Sequence, residues 1–312
     1  MLTLGHGSDV ALRVSMSVFH AMAISLTVFR FIYRRRRRRL WWDDYCSLAA
    51  ALGDFIFFIL LWVGTAGKES YLQTQQARVL RFWLGRSSFI VVIWLTRISL
   101  ALGISRIFSY PVSFRRFSIA MATGFGVLAI GNITHFVLSC RELESWHYNP
   151  RAVCDRSKSL RLYNTLANIF SDLLLFCLPL YALCRAGPSK NQRRLLLTCL
   201  IATSLTAFIT IGRVVFDFAP NTWEPARGDL RVRITHLEAA ISLIVCNILV
   251  VVAYCYMTFR RSEDIEISQT ESEPPSTLTE ISDPRTSQFD LTPPASWTGS
   301  WRTSKSSIAA VD

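Results

Sequence analysis

Seven apolar stretches, each long enough to cross a bilayer, fill the first 258 residues and leave a polar tail behind. A helix needs about 20 mostly apolar residues to span the hydrocarbon core. The candidates fall at 11–33, 44–66, 80–107, 117–139, 161–184, 195–216 and 234–258. Hydrocarbon offers no partner to a free N–H or C=O, so segments of this length must be helices packed into a bundle. The expected fold is an all-α membrane protein, a seven-transmembrane helix bundle with a disordered C-terminal tail. Its parts are a short exoplasmic N-terminus (1–10), the bundle (11–258) and the tail (259–312). Trp41, Trp42, Tyr45, Trp83 and Trp223 stand near expected span ends, where an interfacial aromatic belt belongs. Span 1 continues into six arginines with no small-residue cleavage site, so it reads as a retained signal anchor.

The run Arg34 to Arg39 bears on orientation. Basic residues close to a span end stay cytoplasmic. That places the N-terminus outside and the C-terminus inside a multi-pass integral protein, most simply of the plasma membrane. The short cytoplasmic connections hold 15 Lys and Arg and the exoplasmic ones 12, so the margin comes from this one run. Cysteine placement is an independent argument. With the N-terminus outside, only Cys140 and Cys154 fall in an exoplasmic loop, between spans 4 and 5. Cys46, Cys177, Cys184, Cys199, Cys246 and Cys255 lie in the membrane or toward the reducing side. A Cys140–Cys154 disulfide is therefore expected, and closing a loop of about 15 residues is worth about 3 kcal/mol in the chain-entropy account. The arginine run reads as a stop-transfer anchor held by anionic lipid, each residue worth about 1 kcal/mol. The alternative, nucleic-acid binding, conflicts with the spans on either side, so no nucleic-acid partner is expected.

After Arg261 the composition turns to Ser, Thr, Pro and acids, with 18 Ser or Thr between 262 and 312. Such a segment cannot bury enough apolar surface to offset its ordering entropy. It is either a plain solvated tail or a phosphorylation-controlled docking segment for a cytoplasmic signalling partner. Thr292, ahead of Pro293 and Pro294, is its most directed-looking site.

Charges at bilayer depth cost at least about 2.5–3.5 kcal/mol each. Asp54 in span 2, Arg97 in span 3 and Asp172 in span 5 lie near mid-depth. Arg86, Arg213 and Glu238 lie in the exoplasmic third, with His236 nearby. Acids and bases at similar depths can pair across helices, and Asp172 is matched with Arg97, Asp54 being the competing partner. Asn164, Asn168 and Asp172, spaced i, i+4, i+8, align one polar stripe on span 5. Pro179 in the same span frees the carbonyl of Leu175 and should bend the helix. These groups either hold the helices in register or line a ligand pocket or ion path. The candidate set is Asp54, Arg97, Asn164, Asn168, Asp172, Arg213 and Glu238.

At these residues the chain resembles the fungal rhodopsin-like domain family of seven-helix integral membrane proteins. The likeness begins at Trp42-Asp43-Asp44-Tyr45, opening span 2 after a basic loop, and continues with Arg97-Ile98-Ser99 and Arg106-Ile107-Phe108 in span 3. Cys140, Trp146 and Cys154 follow after span 4, then Tyr163, Asn168, Ser171-Asp172-Leu173 and Leu178-Pro179 in span 5. Arg193-Arg194, Arg213 and Glu238 complete a set covering about residues 10–258. The departures are specific. Arg97 stands where the family usually has Lys, and the Gly-rich, His-bearing loop after span 2 is reduced to Gly64 and Gly67. Ile244-Val245-Cys246-Asn247 lacks the usual span 7 proline, and the N-terminus is too short for the cysteine-rich domain of some members. The resemblance implies a receptor-like architecture.

A retinal Schiff base of the microbial type needs a lysine in span 7. The lysines are Lys68, Lys158, Lys190 and Lys305, none inside a span, so no retinal and no other cofactor is expected. A zinc hydrolase needs several converging His and Asp. His6, His20, His135, His147 and His236 contain no His-x-x-x-His pair, so no metal site, no catalytic residue and no enzymatic activity are expected. A transporter or channel for a small solute is the alternative, although the halves show neither internal repeats nor matched broken helices. The favoured reading is a receptor-like sensor of a small-molecule or peptide ligand, with the lipid bilayer as its constant partner. Asp-Arg-Tyr after span 3 and Asn-Pro-x-x-Tyr in span 7 are absent, so G-protein coupling is not assumed.

Overall fold

The structure, a computed structural model, describes residues 6–63, 74–107, 112–141, 146, 154, 158–185, 190–219 and 226–270. Seven helices account for nearly all of them: α1 His6–Arg36, α2 Trp42–Val63, α3 Gln75–Ile107, α4 Val112–Arg141, α5 Lys158–Arg185, α6 Lys190–Phe218 and α7 Ala226–Thr270. All seven are long and apolar enough to cross a membrane. Each expected span falls within one helix except span 2, whose expected last residues, 64–66, lie outside the described residues. The helix of span 7 runs past its expected end at 258 to Thr270. The chain divides into two compact units, Met1–Glu263 and Asp264–Asp312. Of the second, only the end of α7 is described, and the expectation of a disordered tail otherwise falls on residues outside those described.

The bundle buries charged side chains among apolar core clusters and leaves its outer faces apolar, unlike a water-soluble bundle. Phe208, Ile130 and Val127 are 75%, 68% and 66% exposed, while Arg30, Asp43, Asp54 and Glu238 are buried. An apolar surface on every side far exceeds the patches a soluble monomer leaves uncovered, and lipid is its natural cover. α3 is the central helix: 67% of its most apolar stretch is buried, against 17% in α1. It packs on α2, α4 and α5, with α1 outside α2 and α6 outside α5. A Cβ at Gly53 would stand 3.2 Å from Val92 Cγ2, so glycine lets α2 and α3 close to this distance, the use of small residues expected where lipid gives no hydrophobic drive. Pro179 sits inside α5, and the helix continues through it to Arg185.

The connection between α1 and α2 positions the first candidate residues. Arg39 N donates to Arg34 O and Arg38 N to Arg35 O, both at 3.0 Å, with Arg38 at φ 53°. This is a Schellman ending whose left-handed position is an arginine instead of the usual glycine. Three residues later α2 starts, and the Asp44 carboxylate accepts from Trp41 N at 3.1 Å. That bond satisfies a donor the helix start leaves free. Two carboxylates in the first turn, Asp43 and Asp44, also face the positive end of the helix dipole.

The aromatic belt is realised only in part. Trp42 and Tyr45 are 72% and 52% exposed and point outward. Trp83 instead packs inward, its ring 5.0 Å from Phe136 and 6.3 Å from Trp146. The reason is the loop after α4: Cys140 and Cys154 are disulfide-bonded, and Trp146 Nε1 donates to Cys140 O at 2.9 Å. The bridge holds Trp146 against Phe82 and Trp83, which in turn pack on Phe136. Trp223 lies outside the described residues.

Candidate functional site

Buried charge gathers at four places along the bundle. The first is where α1 ends and α2 begins. Arg30 of α1 is 2% exposed. Its Nη2 donates to Asp43 Oδ2 at 2.6 Å, its Nε to Asp44 Oδ1 at 2.9 Å and its Nη1 to the Cys246 carbonyl of α7 at 2.8 Å. Arg34, one turn on, pairs with the same two carboxylates. Ser99 of α3 donates to Asp43 O at 2.8 Å. Asn247 of α7 accepts from Ser47 at 3.0 Å and donates to Thr27 at 2.8 Å. In Trp42-Asp43-Asp44-Tyr45, then, the aromatics face outward and the two acids clamp four helices together.

The second cluster joins α3 to α5. Arg97 Nη2 and Nε donate to Asp172 Oδ1 at 2.7 and 3.0 Å, and Nη1 donates to Asn168 Oδ1. The guanidinium lies 5.3 Å from the centroid of Trp94, a cation–π contact. Asn164 shares the buried stripe through a bond from Asn168 Nδ2 to its carbonyl at 2.7 Å. Its own side-chain oxygen, like Asp172 Oδ2, is buried without a hydrogen-bond partner.

The third cluster lies between α6 and α7. Arg213 pairs with Glu238 and, at 3.4 Å, with Asp217 one turn along α6. Arg231 reaches Asp217 at 2.6 Å, and Thr210 donates to Glu238 Oε1 at 3.2 Å. Arg86 of α3 stands beside them: its guanidinium and that of Arg213 lie 5.4 and 5.5 Å from the centroid of one buried ring, Phe89.

The fourth is a chain of hydrogen bonds across α2, α1 and α7. Asp54 sits 2.9 Å from His20 Nδ1, and His20 Nε2 sits 3.3 Å from His236 Nδ1. His236 stacks on Phe57 with centroids 3.8 Å apart, and all three polar residues are buried.

The expected candidates fall into separate sets of direct contacts. Arg97, Asn168 and Asp172 meet, Asn164 adjoins them, and Arg213 meets Glu238. Asp54 does not compete for Arg97; it is bound to His20. His20 and His236 approach each other, which no spacing in the chain foretells, and His135 stacks on Tyr163 at 5.8 Å. Among the described residues, no group of three or more His, Cys, Asp or Glu converges as a metal site. Sequence reasoning missed Arg30, Asn247 and Asp217. A charge inside span 1, one turn before the arginine run, was the available signal for Arg30.

The family model of the fungal rhodopsin domain matches residues 29–261. The match starts one residue before Arg30 and ends at Arg261, so it takes in every buried cluster except His20. No curated protein matches the chain.

Proposed function

Because the chain belongs to the fungal rhodopsin domain family, we propose that it works as a receptor-like sensor. It would respond, without retinal and without catalysis, to a small-molecule or peptide ligand arriving from outside the cell. The N-terminus then faces outward, the C-terminus lies in the cytoplasm of a plasma-membrane protein, and a cytoplasmic partner reads the signal. One observation carries this reading: α7 takes part in three of the four buried clusters. Glu238 binds Arg213, His236 binds His20, and Cys246 and Asn247 meet Arg30. A ligand shifts an equilibrium only by its differential affinity for two arrangements. An element held by discrete polar contacts at successive depths has such arrangements to choose between, because repacking one cluster changes the helix's fit at the others. Arg106, Arg193 and Arg194, with the Ser/Thr-rich tail, supply a basic and phosphorylatable inner surface for the partner.

Two measurements test this. A C-terminal tag on intact cells should be detected only after permeabilisation; surface labelling without it would reverse the orientation. The second separates a sensor from a carrier. Truncation after Arg261 should abolish a cellular response while the bundle remains folded at the membrane, and purified protein in liposomes should pass no solute. Substrate-dependent flux that survives truncation would replace the sensor with a transporter.

A further inference from the structure

Among the described residues, the charges around Phe89 do not balance. Arg86 and Arg213 lie against Phe89, Arg213 pairs with Asp217 and Glu238, and Arg231 pairs with Asp217. Both acids are paired at salt-bridge distance, Glu238 with Arg213 and Asp217 with Arg213 and Arg231, and Glu238 Oε2 and Asp217 Oδ1 make these contacts without a well-aligned hydrogen bond. Among the described residues Arg86 has no carboxylate partner, and its Nε is buried with no acceptor. Arg213 is 3% exposed, and its Nη2 also lacks an acceptor. An uncompensated charge at bilayer depth is expensive, and a buried donor without an acceptor costs a further 1–3 kcal/mol, roughly. Two guanidinium groups against one ring, each with an unused N–H, lack one group: an anion with acceptor oxygens.

We propose that Arg86 and Arg213 form an oxyanion site, and that the ligand of the sensor carries a carboxylate or phosphate held there. This rests on the sensor reading for its purpose but not for its chemistry. Guanidinium is planar and presents paired donors that match the two oxygens of a carboxylate or phosphate. Both guanidinium groups lie within 5.5 Å of the Phe89 ring centroid. Arg86 is partly exposed as a residue, while its Nε is buried. Because Glu238 belongs to α7, an anion drawing on Arg213 competes with the pair that ties α6 to α7. The site thus bears on the helix that the proposed function makes responsive. The same chemistry is met by a free carboxylate or by the phosphate of a lipid headgroup.

The test uses full-length protein in a sugar-headgroup detergent that contains no phosphate. Sodium acetate, inorganic phosphate and a short-chain phosphatidic acid are titrated separately at constant ionic strength, with Tm as the readout. A ligand that binds only the folded state raises Tm saturably. At least one of the three should do so. Arg86→Gln should lower the apparent affinity at least tenfold, and Arg86→Lys should retain part of the response. In the absence of added anion, Arg86→Gln should have a higher Tm than the parent chain, because it removes an unpaired charge. Response to phosphatidic acid alone assigns the site to lipid; response to acetate or inorganic phosphate assigns it to a soluble ligand. No rise with any of them, or a rise that Arg86→Gln keeps in full, overturns the site. So does a lower Tm for anion-free Arg86→Gln, which would show that Arg86 has a protein partner. Failure of the sensor reading appears separately, as flux or as an intact response after truncation.

Discussion

Arg30→Met should destabilise the bundle by about 3–5 kcal/mol, the usual cost of breaking a buried charge pair by removing one member. The substitution nearly conserves length and leaves the apolar stem packed, so the loss comes from the head group. Asp43 and Asp44, both buried, would keep Arg34, with Arg106 3.9 Å from Asp43 and the Trp41 N–H on Asp44. The Cys246 carbonyl would lose the donor that ties α7 to α1. Arg35→Gln is the control. Arg35 belongs to the same basic run but is exposed, and a surface change of this kind stays within about 0.5 kcal/mol. Denaturant or thermal unfolding in micelles measures both. Equal losses would mean that the arginines act together as a lipid anchor and that the clamp adds no stability. A large loss confined to Arg30 assigns the stability to the clamp.

That contrast shows what could be read from the chain alone. Seven spans were legible because the length of an apolar run is a local property. The Cys140–Cys154 bridge was legible because the orientation expected from the arginine run left one pair on the oxidising side. Arg97 with Asp172 was legible because both lie at one depth and span 5 aligns Asn168 with Asp172. Depth alone does not say which helices are neighbours. Asp54 lies as deep as Asp172 and could have claimed Arg97. Its actual partner follows from α1 packing outside α2, which puts His20 against it. Arg30 was hidden for a different reason. It stands one turn before six consecutive arginines, and a composition-based reading merges it with an anchor whose side chains face lipid headgroups. Trp83 was misplaced because its position near a span end suited the belt, while the rings that draw it inward come from α4 and from a loop far along the chain.

The Arg97–Asp172 pair allows the sharpest separation of these possibilities. Asp172→Asn and Arg97→Gln should each cost about 3–5 kcal/mol, since either leaves a buried charge without its counter-ion. Asp172→Asn should be the milder of the two, because Arg97 keeps Asn168 and the face of Trp94. In Arg97→Gln, the carboxylate keeps one oxygen without a partner, as it already has in Oδ2, and loses both donors to the other. The double variant should be more stable than the sum of the single losses implies, by about 0.5–3 kcal/mol, the usual range for contacting residues. Asp54→Asn combined with Arg97→Gln should instead be additive within about 0.5 kcal/mol, because residues without shared partners do not couple. Additivity in the Arg97–Asp172 cycle together with coupling in the Arg97–Asp54 cycle would move the ion pair from α5 to α2. Coupling in the first alone places the charge of the central helix on α5, where Asn168 and Asp172 lie one turn apart on the same buried stripe.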